Sequence, residues 1–295
     1  MSTPPFLTLP PCARALRVVT ARGEFAALRA EPAGAVRGSA LLVPGFTGSK
    51  EDFIALLEPL AAAGYRVTAV DQRGQYETGG PQDPAAYTVA ALGADVRALT
   101  AALRAEDATG PLHLLGHSFG GHVVREAVLA EAADGAELPW ASLTLMSTGP
   151  GAIDPAEAER TRLLIGVLPT MDMEEIWQVM QEMEEGGGDR ARRPSPEVAG
   201  FLHRRWLANV PQALITTGGH LVAAPDRADE LAAVVAAGLP ALVVSGVRDY
   251  AWPVPEQTAM AHRLGARRVV VDGAGHSPNA ERPAATAAAL LDLWG

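Results

Sequence analysis

The chain has 295 residues, of which 48% are hydrophobic, and a net charge of −10. That length suits two average domains or one large α/β domain with an insertion, and the apolar fraction is enough to fill a substantial core. The acidic balance argues against nucleic acid as a partner, because phosphate binding needs a basic face, and it disfavours polyanionic substrates and anionic membrane surfaces. Cys12 is the only cysteine, so an internal disulfide and a cysteine-based metal cluster are both excluded. Met1 to Pro11 lacks the positive start and apolar centre of a signal peptide, and no run approaches the length of a membrane span. These features read as a soluble cytoplasmic protein. Lys50 is the only lysine and alanine is abundant, a compositional bias without functional content.

In chain order, Ala15 to Thr20 and Glu24 to Ala30 read as short strands around a turn at Gly23, and Ala40 to Val43 as a third strand ending at Pro44-Gly45. Glu51 to Ala63 has helical apolar spacing (Phe53, Ile54, Leu57, Leu60), with Gly64 as its stop. Arg66 to Val70 is a fourth strand, and Tyr87 to Arg104 a long amphipathic helix. Leu112, Leu114 and Leu115 lead into Gly116-His117-Ser118-Phe119-Gly120, and Gly121 to Ala130 follows as a helix with Val123, Val124, Ala127 and Val128 on one face. Ser142 to Met146 is a further strand. From Ala152 to about Pro225 the pattern is helical, with candidates at Ala156 to Val167, Met173 to Glu185, Pro196 to Ala208 and Pro211 to Val222. Gly186-Gly187-Gly188 and Arg192-Arg193-Pro194 punctuate them. Alternation then resumes: helix Arg227 to Ala237, strand Ala241 to Ser245, helix Pro255 to Leu264, strand Arg268 to Val271 and helix Arg282 to Leu293. Near-continuous apolar strands alternating with helices predict a mostly parallel, doubly wound sheet covered on both faces. Residues 1–150 and 227–295 form its two parts, and residues 151–226 form a helical cap inserted between them.

A strand, a sharp turn and a helix is the setting in which G-x-S-x-G presents a nucleophilic serine at a strained tip. A serine hydroxyl needs a base within hydrogen-bond reach, and that base needs an orienting acceptor on its far nitrogen. Loops at the carboxyl ends of parallel strands share one edge, so residues distant in sequence can meet there. Asp249 follows the strand ending at Ser245, and His276 follows the strand ending at Val271. The order is Ser, Asp, His.

With these residues the chain resembles the α/β-hydrolase family, specifically its capped serine hydrolases. The resemblance is carried by Gly116 to Gly121, Gly246-x-x-Asp249 with Pro253, Gly273-x-Gly275-His276-x-Pro278, Pro44-Gly45-Phe46 and Asp71-Gln72-Arg73-Gly74. It implies Ser118 as nucleophile, His276 as general base and later acid, and Asp249 as the group that fixes the imidazole. It also implies the backbone N–H groups of Phe46 and Phe119 as an oxyanion hole. No metal or organic cofactor is implied. An acidic residue at the elbow would suggest dehalogenase or epoxide-hydrolase chemistry, and Ser118 argues against both. Two departures from the family pattern stand out. Pro44 replaces the usual histidine of the oxyanion loop, and Gln75-Tyr76-Glu77-Thr78 replaces a run of small residues.

The remaining candidates have plainer alternatives. Asp249 also fits a helix cap before Pro253 and Pro255, and His276 an ordinary loop histidine. Tyr76 is a candidate pocket residue or a surface tyrosine, Trp177 a candidate pocket wall or helix packing, and His220 a candidate substrate contact or a solvated histidine. Met171, Met173, Met180 and Met183 with Ile176 and Val179 fit helix packing or an adaptable apolar wall. Asp172, Glu174, Glu175, Glu182, Glu184 and Glu185 fit a solvated helix face that repels anions. His113, His117 and His122 fall on a strand, an elbow and a helix, a poor geometry for one metal. The expected reaction is hydrolysis of a small to medium, largely apolar carboxylic ester through an acyl-serine. Alternatives are a thioester, lactone, amide or C–C bond attacked by the same triad, or a non-hydrolytic lyase-like or ligand-binding member. The expected partner is a small molecule, with no cofactor, nucleic acid or membrane span; the oligomeric state is open.

Overall fold

The computed structural model describes residues 2–106, 110–135, 137–187 and 194–295. Gly188, Arg192 and Arg193 lie outside the described residues, as do the side chains of Glu184 and Glu185. Eight strands form one sheet: β1 (Ala13–Thr20), β2 (Gly23–Ala30), β3 (Gly38–Val43), β4 (Tyr65–Val70), β5 (Leu112–His117), β6 (Ser142–Met146), β7 (Ala241–Gly246) and β8 (Arg267–Val271). Their spatial order is β1-β2-β4-β3-β5-β6-β7-β8. β2 runs antiparallel to β1 and β4, and every pairing from β4 through β8 is parallel.

Side chains alternate across the sheet with a period of two, which puts an apolar residue on each face in turn. Leu41, Val43, Leu112, Leu114, Leu143, Leu145 and Val243 pack against α2 (Val89–Glu106), α3 (Phe119–Ala133), α8 (Ala228–Ala236) and α9 (Val254–Leu264). Ala40, Leu42, Leu115, Met146, Leu242 and Val244 pack on the other side against α1 (Ile54–Ala62) and α11 (Pro283–Trp294). Both faces are therefore buried, which is why the central strands read as nearly unbroken apolar runs.

Between β6 and β7 the chain also forms α4 (Pro155–Val167), α5 (Met173–Gly187), α6 (Pro196–Leu207) and α7 (Pro211–Ala223). These helices have a core of their own: Leu168, Ile176, Trp206 and Leu214, joined by Met171, Met173, Trp177 and Met180. Phe46, from the loop after β3, also packs into that cluster. Met183 and Val179 are exposed. No helix among the described residues is long and apolar enough to cross a membrane.

Some elements divide where the sequence pattern suggests continuity. The expected helix Glu51–Ala63 is a 3₁₀ turn (Lys50–Phe53) followed by α1. The expected helix from Tyr87 splits at Thr88, whose backbone is extended (ψ 150°) between a 3₁₀ turn (Pro84–Tyr87) and α2. The terminal helix begins earlier than expected, as α10 (Pro278–Glu281), and breaks at Arg282 (φ −141°, ψ 58°) before α11. Pro283 explains that break, because proline keeps the residue before it out of the helical region.

Candidate active site

The parallel register brings four loops to one edge. Val43 aligns with Gly116 and His117 with Met146, and further along the sheet Gly246 aligns with Val271. The segments that follow β3, β5, β7 and β8 thus all leave at the carboxyl edge. The chain moves outward from β3 to β4 and then returns to place β5 on the other side of β3, so this edge contains a switch point, where open α/β sheets bind ligands.

Ser118 sits directly between β5 and α3 with φ 55° and ψ −123°, a conformation an L-residue adopts only under compulsion. The compulsion is packing. A Cβ on Gly116 would strike the backbone of Gly120, and a Cβ on Gly120 would strike the carbonyls of Val43 and Pro44. A Cβ on Gly45 would lie 2.8 Å from that of Ser118. Small residues on three sides let the strand, the helix and the loop after β3 close around the serine.

His276 bridges the other two side chains. Its Nδ1 lies 2.8 Å from Asp249 Oδ1 and its Nε2 3.0 Å from Ser118 Oγ. A carboxylate only accepts, so Nδ1 carries the proton, and Nε2 is the acceptor of the serine hydroxyl. Asp249 Oδ1 also accepts from the amides of Ala251 and Trp252, and Oδ2 from the Gln257 amide at 3.0 Å. Burial alone would raise the Asp249 carboxyl, but hydrogen bonds and charge from His276, with the two backbone amides, hold it below the usual carboxylate range. It stays ionised beside the imidazole. His117 Nε2 donates to the backbone carbonyl of His276 at 2.8 Å, anchoring that loop. Burial lowers His117 to about 3, so it is neutral.

The backbone N–H groups of Phe46 and Phe119 donate to no acceptor among the described residues. Both residues line a cavity of about 10 Å³ roofed by Ala213, Leu214 and Thr217 of α7, with Gln72 and Gln75 in its wall. Unpaired donors at a helix start and a neighbouring loop are suited to developing negative charge. Gln72 and Gln75 hold this loop through its carbonyls: Gln72 donates to Pro44 O at 2.8 Å and Gln75 to Gly45 O at 2.7 Å. Their role was not evident beforehand, although the unusual Gln75 run was the available signal.

The other sequence candidates are scattered. His220 lies edge-on to Phe119 with ring centroids 6.0 Å apart, and its Nε2 is 3.0 Å from His122 Nδ1. Tyr76 is outside the cavity wall. Its ring covers the Lys50 ammonium at 4.6 Å and meets Phe201 of α6 edge-on. Trp177 stacks on His203 within the helical insertion. His113 pairs with Ser142 and stacks on Trp294, so His113, His117 and His122 have separate partners. Glu174 binds His203, and Asp172 caps the amide of Glu175, so part of the acidic run serves the helix itself.

The model of the alpha/beta hydrolase family matches residues 40–289. Epoxide hydrolase A of Mycobacterium tuberculosis is 26% identical over 292 residues, covering 86% of this chain and 89% of its own. Among solved structures, a hydrolase from Pseudomonas aeruginosa PA01 superposes with a TM-score of 0.74 at 24% identity, over 96% of this chain and 98% of that one. A thermophilic esterase from Thermogutta terrifontis does so with a TM-score of 0.70 at 24% identity, over 95% and 97%. At that identity the likeness concerns the fold.

Proposed function

The chain belongs to the alpha/beta hydrolase family, and from that premise we propose a serine hydrolase that cleaves a small to medium, largely apolar carboxylic ester. One observation carries the reading: a single imidazole, that of His276, hydrogen-bonds Asp249 on one nitrogen and Ser118 on the other. Ser118 Oγ attacks the carbonyl carbon as its proton passes to His276 Nε2, and the carbonyl π pair moves onto oxygen. The amides of Phe46 and Phe119 receive that oxyanion, each such donor typically contributing about 10²–10³ in turnover. The carbonyl re-forms, the C–O bond breaks, and the leaving alkoxide takes the proton from His276. Water then repeats the sequence on the acyl-serine and releases the acid. Asp249 stabilises the imidazolium in both halves.

We read residues 151–226 as a cap over this site, a reading supported by α7 over the cavity and by Phe46 packing into the insertion's core. The relative from Mycobacterium tuberculosis raises epoxide opening as a second reaction. Chemistry weighs against it. A carboxylate nucleophile opens an epoxide to an ester that water cleaves, whereas Ser118 would form an ether that water does not. A thioester, lactone, amide or C–C bond remains within reach of the same residues. The test is hydrolysis of p-nitrophenyl esters together with labelling by a fluorophosphonate. Ser118→Ala should abolish both, and labelling that persists at another residue overturns the assignment.

A further inference from the structure

Four buried carboxamides, Gln72, Asn209, Gln257 and Asn279, keep a side-chain oxygen without a partner among the described residues. Gln257 is tied to Asp249 and Asn279 to the carbonyl of Asp52, and neither lines the cavity bordered by Phe46 and Phe119. Gln72 and Asn209 both do, together with Phe46 and Phe119. Their orientation follows from their nitrogens. Gln72 Nε2 donates to Pro44 O, and Asn209 Nδ2 to the carbonyl of Arg205 at 2.8 Å. Each amide therefore has its nitrogen engaged on an acceptor, which identifies the remaining atom as oxygen. Gln72 is 6% exposed and Asn209 4%, so neither oxygen is compensated by bulk solvent. A buried carbonyl oxygen without a donor carries a desolvation cost, and such groups in a cavity wall mark where a water or a ligand donor belongs.

We propose that Gln72 Oε1 and Asn209 Oδ1 form an acceptor pair that selects acyl groups bearing a hydrogen-bond donor, a hydroxyl or an amide N–H, close to the scissile carbonyl. This rests on the serine-hydrolase reading above. The two kinds of polar group in the wall divide the work. The unpaired amides of Phe46 and Phe119 take the carbonyl oxygen, and the unpaired carboxamide oxygens take the donor beside it. A hydrocarbon acyl group leaves both oxygens dry and unpaired, and an acyl carboxylate meets two acceptors and no cation. Arg73 also borders the cavity, but its guanidinium is held by Asp95 and by the carbonyl of Arg22. The cavity has room for about one water as it stands, so entry of the acyl group displaces side chains of α7.

The experiment compares kcat/KM for each enantiomer of p-nitrophenyl 3-hydroxybutanoate with that for p-nitrophenyl butanoate, in the unmodified protein and in Asn209→Leu. The hydroxy ester should be preferred by at least about tenfold in one enantiomer, and the preference should shrink at least about fivefold in the variant. If Asn209→Leu does not fold, Gln72→Met reads the same ratio. No preference, or a preference that survives in the folded variant, overturns the acceptor pair while fluorophosphonate labelling of Ser118 leaves the hydrolase reading intact. Failure of both esters together with failure to label Ser118 overturns the hydrolase reading instead.

Discussion

Gln75 donates its side-chain N–H to the carbonyl oxygen of Gly45 at 2.7 Å, and through that bond it aims the amide of Phe46. The Gly45 carbonyl and the Phe46 N–H belong to one trans peptide plane and point in opposite directions. Fixing the oxygen on Gln75 therefore fixes the hydrogen of Phe46 on the opposite side of that plane. Gln72 fixes the preceding plane through Pro44 O, and the backbone N–H of Gln72 donates to Gln75 Oε1 at 3.0 Å. On the mechanism proposed above, Gln75 acts as a positioning residue for the Phe46 amide. Gln75→Leu keeps the bulk and removes the bond, and it should lower kcat on p-nitrophenyl esters by about 10- to 100-fold while changing KM little. Steady-state kinetics decide it, and an unchanged kcat would refute the role.

The backbone at Ser118 leads to a second expectation. At φ 55° and ψ −123° a Cβ is strained, and such strain costs on the order of 1–3 kcal/mol. Ser118→Ala removes the hydroxyl but keeps the strain; Ser118→Gly removes both. Both variants should be inactive, yet the glycine variant should be the more stable by about 1 kcal/mol, reversing the usual rank of alanine over glycine. Chemical denaturation of the pair measures this directly. Equal stability would mean the surrounding packing relieves the strain.

Much of this arrangement was legible before any coordinates. Ser118, Asp249 and His276 could be picked out because each follows an apolar strand, and parallel register alone sends such loops to one edge. The helices of the insertion were expected to begin at Ala156, Met173, Pro196 and Pro211, and they begin at Pro155, Met173, Pro196 and Pro211. The support behind the chemistry was not legible. His117 on the His276 carbonyl and Gln75 on the Gly45 carbonyl join residues far apart in the chain, and Gln257 reaches the Asp249 carboxylate from the helix that follows it. A polar side chain meeting a backbone oxygen leaves no periodicity and no motif. Tyr76, an aromatic in an unusual loop, was a candidate pocket residue or a surface tyrosine, and its ring lies over Lys50 and against Phe201.

Asp249 offers a sharper test of mechanism. Its Oδ1 accepts the hydrogen bond that His276 Nδ1–H donates, which leaves Nε2 free to accept from Ser118. Asp249→Asn can present its NH₂ to Nδ1 and so favour the tautomer protonated on Nε2, which cannot take the serine proton. Turnover of p-nitrophenyl esters should fall by about 10⁴ near neutral pH with the fold intact. A loss of less than about tenfold would show that another group orients the imidazole.

The insertion is fastened to the core by a fully buried ion pair. Arg205 of α6 meets Asp52 at 2.7 Å, and both side chains are wholly shielded from solvent. The same guanidinium donates to the carbonyl of Ser2, so three distant segments converge on it. Desolvation makes such a pair a poor source of net stability, but deleting one member strands a charge, which typically costs about 3–5 kcal/mol. Arg205→Met should therefore destabilise by roughly that amount, and adding Asp52→Asn should recover a large part of it. A double-mutant cycle by thermal unfolding checks the coupling, and additive losses would deny it.

The buried histidines predict how stability depends on pH. Burial lowers His113 to about 4 and His117 to about 3, and pushes His122 well below its ordinary value. In the unfolded chain each titrates near 6.5. Between the folded and unfolded values the unfolded state holds more protons, so stability rises with pH there and is fully present only above about 6.5. Falling to pH 5 should cost about 2 kcal/mol for each of the three, an order-of-magnitude figure. Asp71 works the other way: burial pushes its carboxyl up to about 7 despite the pull of Lys50, so it gains a proton in the folded state as pH falls. Burial likewise raises the carboxyls of Asp52 and Glu256, but His220 joins the histidines at about 4 and Asp249 lies below its ordinary range, so the net trend is destabilisation by acid. Thermal unfolding at pH 7.5 and pH 5 should show a clear drop in Tm. His113→Phe, which keeps a ring to pack on Trp294 and Tyr65, should flatten the dependence by about one proton. A slope identical to that of the unmodified protein would remove His113 from the acid-sensitive set.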